Sequence, residues 1–254
     1  MIYYKTMINM KKIILFLILL AISVSSFAFV GKNPTKKNKK EKEIIEANIN
    51  GKGYTFEIEF ISGKGHNNPS FAIWIETMNE EFIQEIFVTK AVSTGIYRYA
   101  DPSSGKWEAG AKMYNATLPY FIHKRTVNAE IPTSDKPIVD AYTGATPKGD
   151  FFLKTKSDKR INTKFRLLIE INQAWDFNNF WNNAKFPEYQ EYRNSCQPSL
   201  VYAVTIDPAN LMDEYIMNPI GHGHFAGIDG KLYTDLSTFT TALKIADRIK
   251  VTVK

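Results

Sequence analysis

Asp140, Thr143 and Thr146 stand together in DAYTGATPKG (140–149), where one acid and two hydroxyls are interleaved with Gly144, Ala145 and Gly149 between apolar segments. Read as a turn, Asp140 ends a strand and its carboxylate bonds nearby backbone donors. Gly144 then takes a positive φ, Pro147 fixes the exit and Gly149 tightens it. A plain turn needs less than this. The backbone donors of such a turn can also hold a phosphate. A second candidate is GHGH (221–224). In extended backbone His222 and His224 face the same way, and with His66, His123, Asp229 or Asp235 as a third ligand they suit zinc or copper. The flanking glycines equally suit a tight turn over which imidazoles make hydrogen bonds, so no residue is assigned to a metal.

Other chemistries lack their signatures. The chain has no Gly-x-Ser-x-Gly, no His-Glu-x-x-His and no Gly-rich phosphate loop between strand and helix. GIDGKLYTD lacks the acid spacing and terminal Glu of a calcium loop and reads as a hairpin turn. Glu57 and Glu59 share a strand face expected to be wet. Asn115-Ala-Thr fits a glycosylation acceptor. The run Trp175, Phe177, Phe180, Trp181, Phe186, Tyr189, Tyr192 either stacks on a sugar or a flavin, or fills a core or covers a sheet edge.

The elements that must position these residues are mainly strands. YTFEIEF (54–60) alternates apolar and polar positions without a fault, and FAIWIE (71–76) followed by IQEIFVTK (83–90) reads as a hairpin. IYRYA, IVDAY, DFFLK, KFRLLIEIN, LVYAVTID and DRIKVTV are further strands. Helical turns are expected in GKWEAGAKMYNATLPYF, in DFNNFWNNAK and, capped by Asp235, in DLSTFTTALKIAD. NPSFAIWIE and QPSLVYAVT both place Pro-Ser before a buried strand, as pseudo-symmetric strands of two sheets or simply as a common way to start an edge. The expected fold is a mainly β, antiparallel β-sandwich with a few short helices and a C-terminal elaboration from about residue 175.

Of 254 residues, 44% are hydrophobic, enough for a substantial core. Residues 1–28 read as a cleaved secretory signal: Lys11 and Lys12, an apolar run from Ile13 to Ile22, then Ser26 and Ala28. An uncleaved anchor is the alternative, but the run falls short of the ~20 residues a span needs. Residues 29–50 read as a Lys-rich spacer and 51–254 as one sandwich domain. The first 43 residues hold nine Lys/Arg and two acids, so 23 of the 32 basic and 24 of the 26 acidic residues remain. The near-neutral remainder argues against a nucleic-acid partner. Cys196 is the only cysteine; leading into an apolar strand, it is expected to be buried.

PSFAIWIET, LPYFIHKR, DAYTGATPKGDFFL and FRLLIEIN resemble domain of unknown function 2271, a family of periplasmic proteins, over about residues 54 to 172. The resemblance implies a fibronectin- or immunoglobulin-like sandwich in a periplasmic or secreted protein. DAYTGAT is also similar to the covalent FMN acceptor motif, Asp, two variable residues, Ser or Thr, Gly, Ala, then the modified Thr or Ser. That similarity implies FMN on Thr146, attached by a flavin transferase to which Gly144 and Ala145 give access, with Asp140 and Thr143 holding the loop or touching the transferase. Two functions follow as expectations. One is electron transfer as an extracytoplasmic flavoprotein carrier, with membrane redox proteins as partners, no stable membrane insertion after signal cleavage, and no reaction of its own to catalyse. The other is a cofactor-free secreted binding or structural module for a protein or glycan.

Overall fold

The faultless alternation of residues 54 to 60 produces a strand, Thr55–Ser62 (β2), with Phe56, Ile58 and Phe60 fully buried on one face. Glu57 and Glu59 lie on the other. They are mostly covered there, paired with Lys254 at 2.8 Å and with Lys42, rather than freely wet. A computed structural model describes residues 42–254 apart from Asn128. The expected signal, residues 1–28, and residues 29–41 lie outside it.

Ser70–Thr77 (β3) and Phe82–Thr89 (β4) form the expected antiparallel hairpin. Phe151–Lys156 (β8), Phe165–Asn172 (β9), Leu200–Ile206 (β10) and Ala246–Val253 (β13) are the other long strands. Shorter ones are Glu43–Glu46 (β1), Ile96–Asp101 (β5), Glu108–Ala111 (β6), Thr143–Gly144 (β7), Tyr215–Ile216 (β11) and Asn218–His222 (β12). Among the described residues the helices are Lys90–Thr94 (α1), Pro119–Thr126 (α2) and Gln190–Ser195 (α3).

The strands form a five-stranded sheet, β1-β8-β2-β13-β11, and a six-stranded sheet, β12-β10-β9-β3-β4-β7, with β5 and β6 paired apart. The fold is the expected mainly β sandwich, but its sheets are mixed. β1 runs parallel to β8 and β7 parallel to β4, both at sheet edges; the other pairings are antiparallel. Between the sheets, Phe60 stacks on Phe151 at 4.9 Å and meets Phe71 edge-on at 5.2 Å. Phe56, Ile73, Phe87, Leu167, Ile169 and Val251 extend that core, each apolar side chain contributing about 1.5–3 kcal/mol by its burial.

The six-stranded sheet is buried on both faces. Ala72, Trp74, Leu168 and Val201 point outward and are covered by Leu118, Tyr120, Phe121 and Ile122 from α2 and its approach. β3 therefore reads as a nearly continuous apolar run from Phe71 to Ile75, as doubly covered strands do.

The boundaries differ from expectation in two respects. Part of the segment read as a spacer, Glu43–Glu46, is the edge strand β1. The chain beyond about residue 175 does not merely pack on a finished sandwich: β10 lies inside one sheet and β13 inside the other. The Pro-Ser echo belongs to one sheet rather than two. β3 and β10 flank β9, with Phe71 and Leu200 both opposite Ile171.

Three local readings are corrected. IVDAY is not a strand, because Asp140–Tyr142 is a 3-10 turn. GKWEAGAKMYNATLPYF begins as β6 and turns helical only from Pro119. DLSTFTTALKIAD keeps a single 3-10 turn, Ala242–Lys244, while DFNNFWNNAK forms turns and no helix. In DLSTFTTALKIAD and DFNNFWNNAK short polar side chains bond the backbone and one another in place of a helical ladder. Asp235 accepts from Ser237 N at 2.9 Å, Asn178 Oδ1 from Phe180 N and Trp181 N, and Thr238 Oγ1 from Trp181 Nε1 at 3.0 Å.

Candidate functional site

The loop carrying Asp140, Thr143, Gly144, Ala145 and Thr146 is held at both ends. Upstream, Ile138 is buried and its N–H donates to Ser93 O at 2.9 Å. One 3-10 turn follows, and Thr143 and Gly144 then pair as β7 with Val88 and Thr89. Tyr142 anchors the turn, its hydroxyl 2.7 Å from both Asp158 carboxylate oxygens. Burial, reinforced by that carboxylate, pushes the Tyr142 phenol well above its ordinary range. Downstream, Asp150 accepts from Ser62 N at 2.9 Å and from the Ser62 hydroxyl, which holds its carboxyl below the usual range.

The turn reading is corrected at two residues. The Asp140 carboxylate is exposed and accepts no hydrogen bond among the described residues; the carbonyl of Asp140 takes the Thr143 N–H instead. Gly144 has no positive φ. Its smallness serves close approach, since a Cβ there would stand 2.7 Å from Cε2 of the buried Phe87. Gly144→Ala is therefore expected to lower stability by about 1–3 kcal/mol through overpacking. Urea unfolding checks this, and an unchanged midpoint would mean that Phe87 yields.

Between the anchors, Ala145 is exposed, Thr146 half-buried and Pro147 buried. The Thr146 hydroxyl makes no hydrogen bond among the described residues. The five residues thus lie along one edge of the sheet, from the 3-10 turn through β7 to Thr146.

GHGH lies elsewhere. β12 and β7 are the opposite edges of the six-stranded sheet. Five strand spacings separate them, on the order of 24 Å. His222 Nδ1 lies 2.7 Å from Gly223 O, and its ring stacks on Tyr233 at 5.3 Å. His224 Nδ1 accepts the Ala226 N–H at 3.0 Å. Burial lowers the pKa of both, so they are neutral packing imidazoles at neutral pH. No group of three His, Cys, Asp or Glu side chains among the described residues is placed to hold a metal ion.

Gly223 brings its backbone against the start of α2; a Cβ there would stand 2.5 Å from Pro119 Cγ and 3.0 Å from Glu170 Oε1. Glu170 is fully buried and caps α2 from the neighbouring strand. It accepts from Phe121 N at 2.7 Å, Tyr120 N at 3.2 Å and the Ser199 hydroxyl. Leu118, at the cap position itself, offers no side-chain acceptor. Sequence reasoning missed Glu170; its only signal was an acid inside the apolar run FRLLIEIN. Cys196 is buried as expected, and burial pushes its thiol up to about 12, far from a reactive thiolate.

No protein-family model, no curated protein and no solved structure matches the chain. No helix among the described residues is long and apolar enough to cross a membrane.

Proposed function

We propose that the chain is an extracytoplasmic redox carrier, periplasmic or secreted, whose FMN is joined to Thr146 by a separate flavin transferase. The observation that carries the reading is the placement of the whole Asp-x-x-Thr-Gly-Ala-Thr order along one edge of the sheet. Ala145 is exposed there, and the Thr146 hydroxyl is committed to no partner among the described residues. A fully buried, hydrogen-bonded hydroxyl could not enter a transferase. Thr146 would hold the cofactor through a phosphoester, Gly144 and Ala145 leave room for the enzyme, and the exposed Asp140 carboxylate is free to meet it. The flavin supplies electron transfer, with membrane redox proteins as donor and acceptor. A covalent tether suits this location, because a dissociable cofactor outside the cell is lost by diffusion.

The test is intact mass on protein purified from its own organism, with in-gel flavin fluorescence. The expected result is a gain of one FMN less one water, absent from Thr146→Ala, whose stability should stay within about 0.5 kcal/mol of the parent. An unmodified mass, with the cell's transferase active on another substrate, would leave a cofactor-free module.

A further inference from the structure

The aromatic run after β9 divides in the fold. Trp181 and Tyr192 join the core, with Phe186 and Tyr189 packed against it. Trp175, Phe177 and Phe180 stay outside, exposed by 65%, 39% and 45%. Trp175 also has φ 63°, in the left-handed region that bulky side chains avoid. Neither cost is recovered by packing, since most of the indole lies in solvent.

The surrounding structure holds this arrangement firmly. Trp175 N–H donates to Asn194 O at 2.9 Å, and Gln197 N–H to Asp176 O at 3.1 Å. Asn178 Oδ1 takes the N–H groups of Phe180 and Trp181, and its Nδ2 donates to Thr238 O at 2.9 Å and Thr240 Oγ1 at 3.0 Å. Trp175 and Phe177 lie 6.3 Å apart, centre to centre. Such rings, fixed before any ligand arrives, bind with little ordering cost.

Exposed polar side chains of the same segment narrow the ligand. Asn179 and Asn183 are exposed, and their side-chain amides make no hydrogen bond among the described residues. Lys185 lies over the Phe180 ring, 3.0 Å from its centre, and a nucleic acid would need far more positive charge than this lysine provides. A pyranose presents a face of C–H groups to an aromatic ring and hydroxyls around its edge to amides, which both donate and accept. We propose that the exposed rings of Trp175 and Phe177 bind a neutral saccharide, whose hydroxyls are taken by Asn179 and Asn183.

The test titrates the full chain with neutral hexose oligosaccharides of α-glucan, β-glucan, mannan and galactan type, followed by calorimetry and tryptophan fluorescence. At least one should bind. Trp175→Gly should weaken that binding at least about 30-fold, as loss of a central aromatic anchor does. Its melting temperature should be equal or higher, because glycine adopts φ 63° freely. Trp107→Ala, which removes an exposed ring between β5 and β6, should leave binding unchanged. The proposal is overturned if no neutral saccharide binds, if only charged glycans do, or if Trp175→Gly binds like the parent. It is equally overturned if Trp175→Gly melts well below the parent, which would make the ring a packing element.

Discussion

Arg166→Met is expected to lower the unfolding free energy by about 3–5 kcal/mol, the range for removing one partner of a buried ion pair. Arg166 on β9 stands opposite Glu76 on β3, a residue with no solvent exposure. The guanidinium meets Glu76 Oε1 through Nε at 2.7 Å and through its second nitrogen, while Trp74 Nε1 donates to Oε2 at 3.3 Å. Without Arg166 the carboxylate, which has no solvent exposure in the folded protein, keeps one indole donor. A total stability of about 5–15 kcal/mol makes such a loss plain in urea unfolding. Adding Glu76→Gln removes the stranded charge, so the double variant should recover most of the deficit. A double variant no better than the single one would place the cost in packing and not in the charge.

The second large effect depends on pH. Burial pushes the Glu170 carboxyl from its ordinary 4.5 up to about 7, against the opposing hydrogen bonds from Ser199, Phe121 N and Tyr120 N. Between those two values the unfolded chain is ionised at this position while the folded chain holds a proton. The folded state thus binds more protons, and stability falls as pH rises. The contribution is complete below pH 4.5, is lost as pH passes 7, and amounts to about 3 kcal/mol. Glu170→Gln keeps the shape without the titration. Compared with that variant, the parent should be about 2–3 kcal/mol more favoured at pH 5 than at pH 8. Urea midpoints at the two pH values measure the difference, and parallel profiles would show that Glu170 does not titrate in this range.

How legible the molecule is from its sequence varies by element. β2 was readable residue by residue, because its polar face is the sheet's outer surface and period two separates it from the core. β9 follows the same period, with Phe165, Leu167, Ile169 and Ile171 inward. Alternation cannot show that Arg166, Glu170 and Asn172 on its other face are covered. Asn172 donates there to Ala116 O at 2.8 Å, a residue 56 positions away in sequence. The loop was legible as a motif but not as a shape. Gly144 is small because Phe87 lies beneath it, a contact between residues far apart in the chain, and not because the backbone needs an unusual φ.

Composition and periodicity by themselves determined the mainly β sandwich, the long strands and the burial of Cys196, because each rests on short-range patterning of apolar side chains. Only the tertiary structure decided which charges are buried, which of seven neighbouring aromatic rings remain in solvent, and that β1 and β7 close sheet edges in parallel. It also decided that the Thr146 loop and GHGH occupy opposite edges of one sheet. The physical reason is common to all of these: local pattern specifies which face a side chain takes, and what comes to lie against that face is set by distant segments whose approach leaves no local trace.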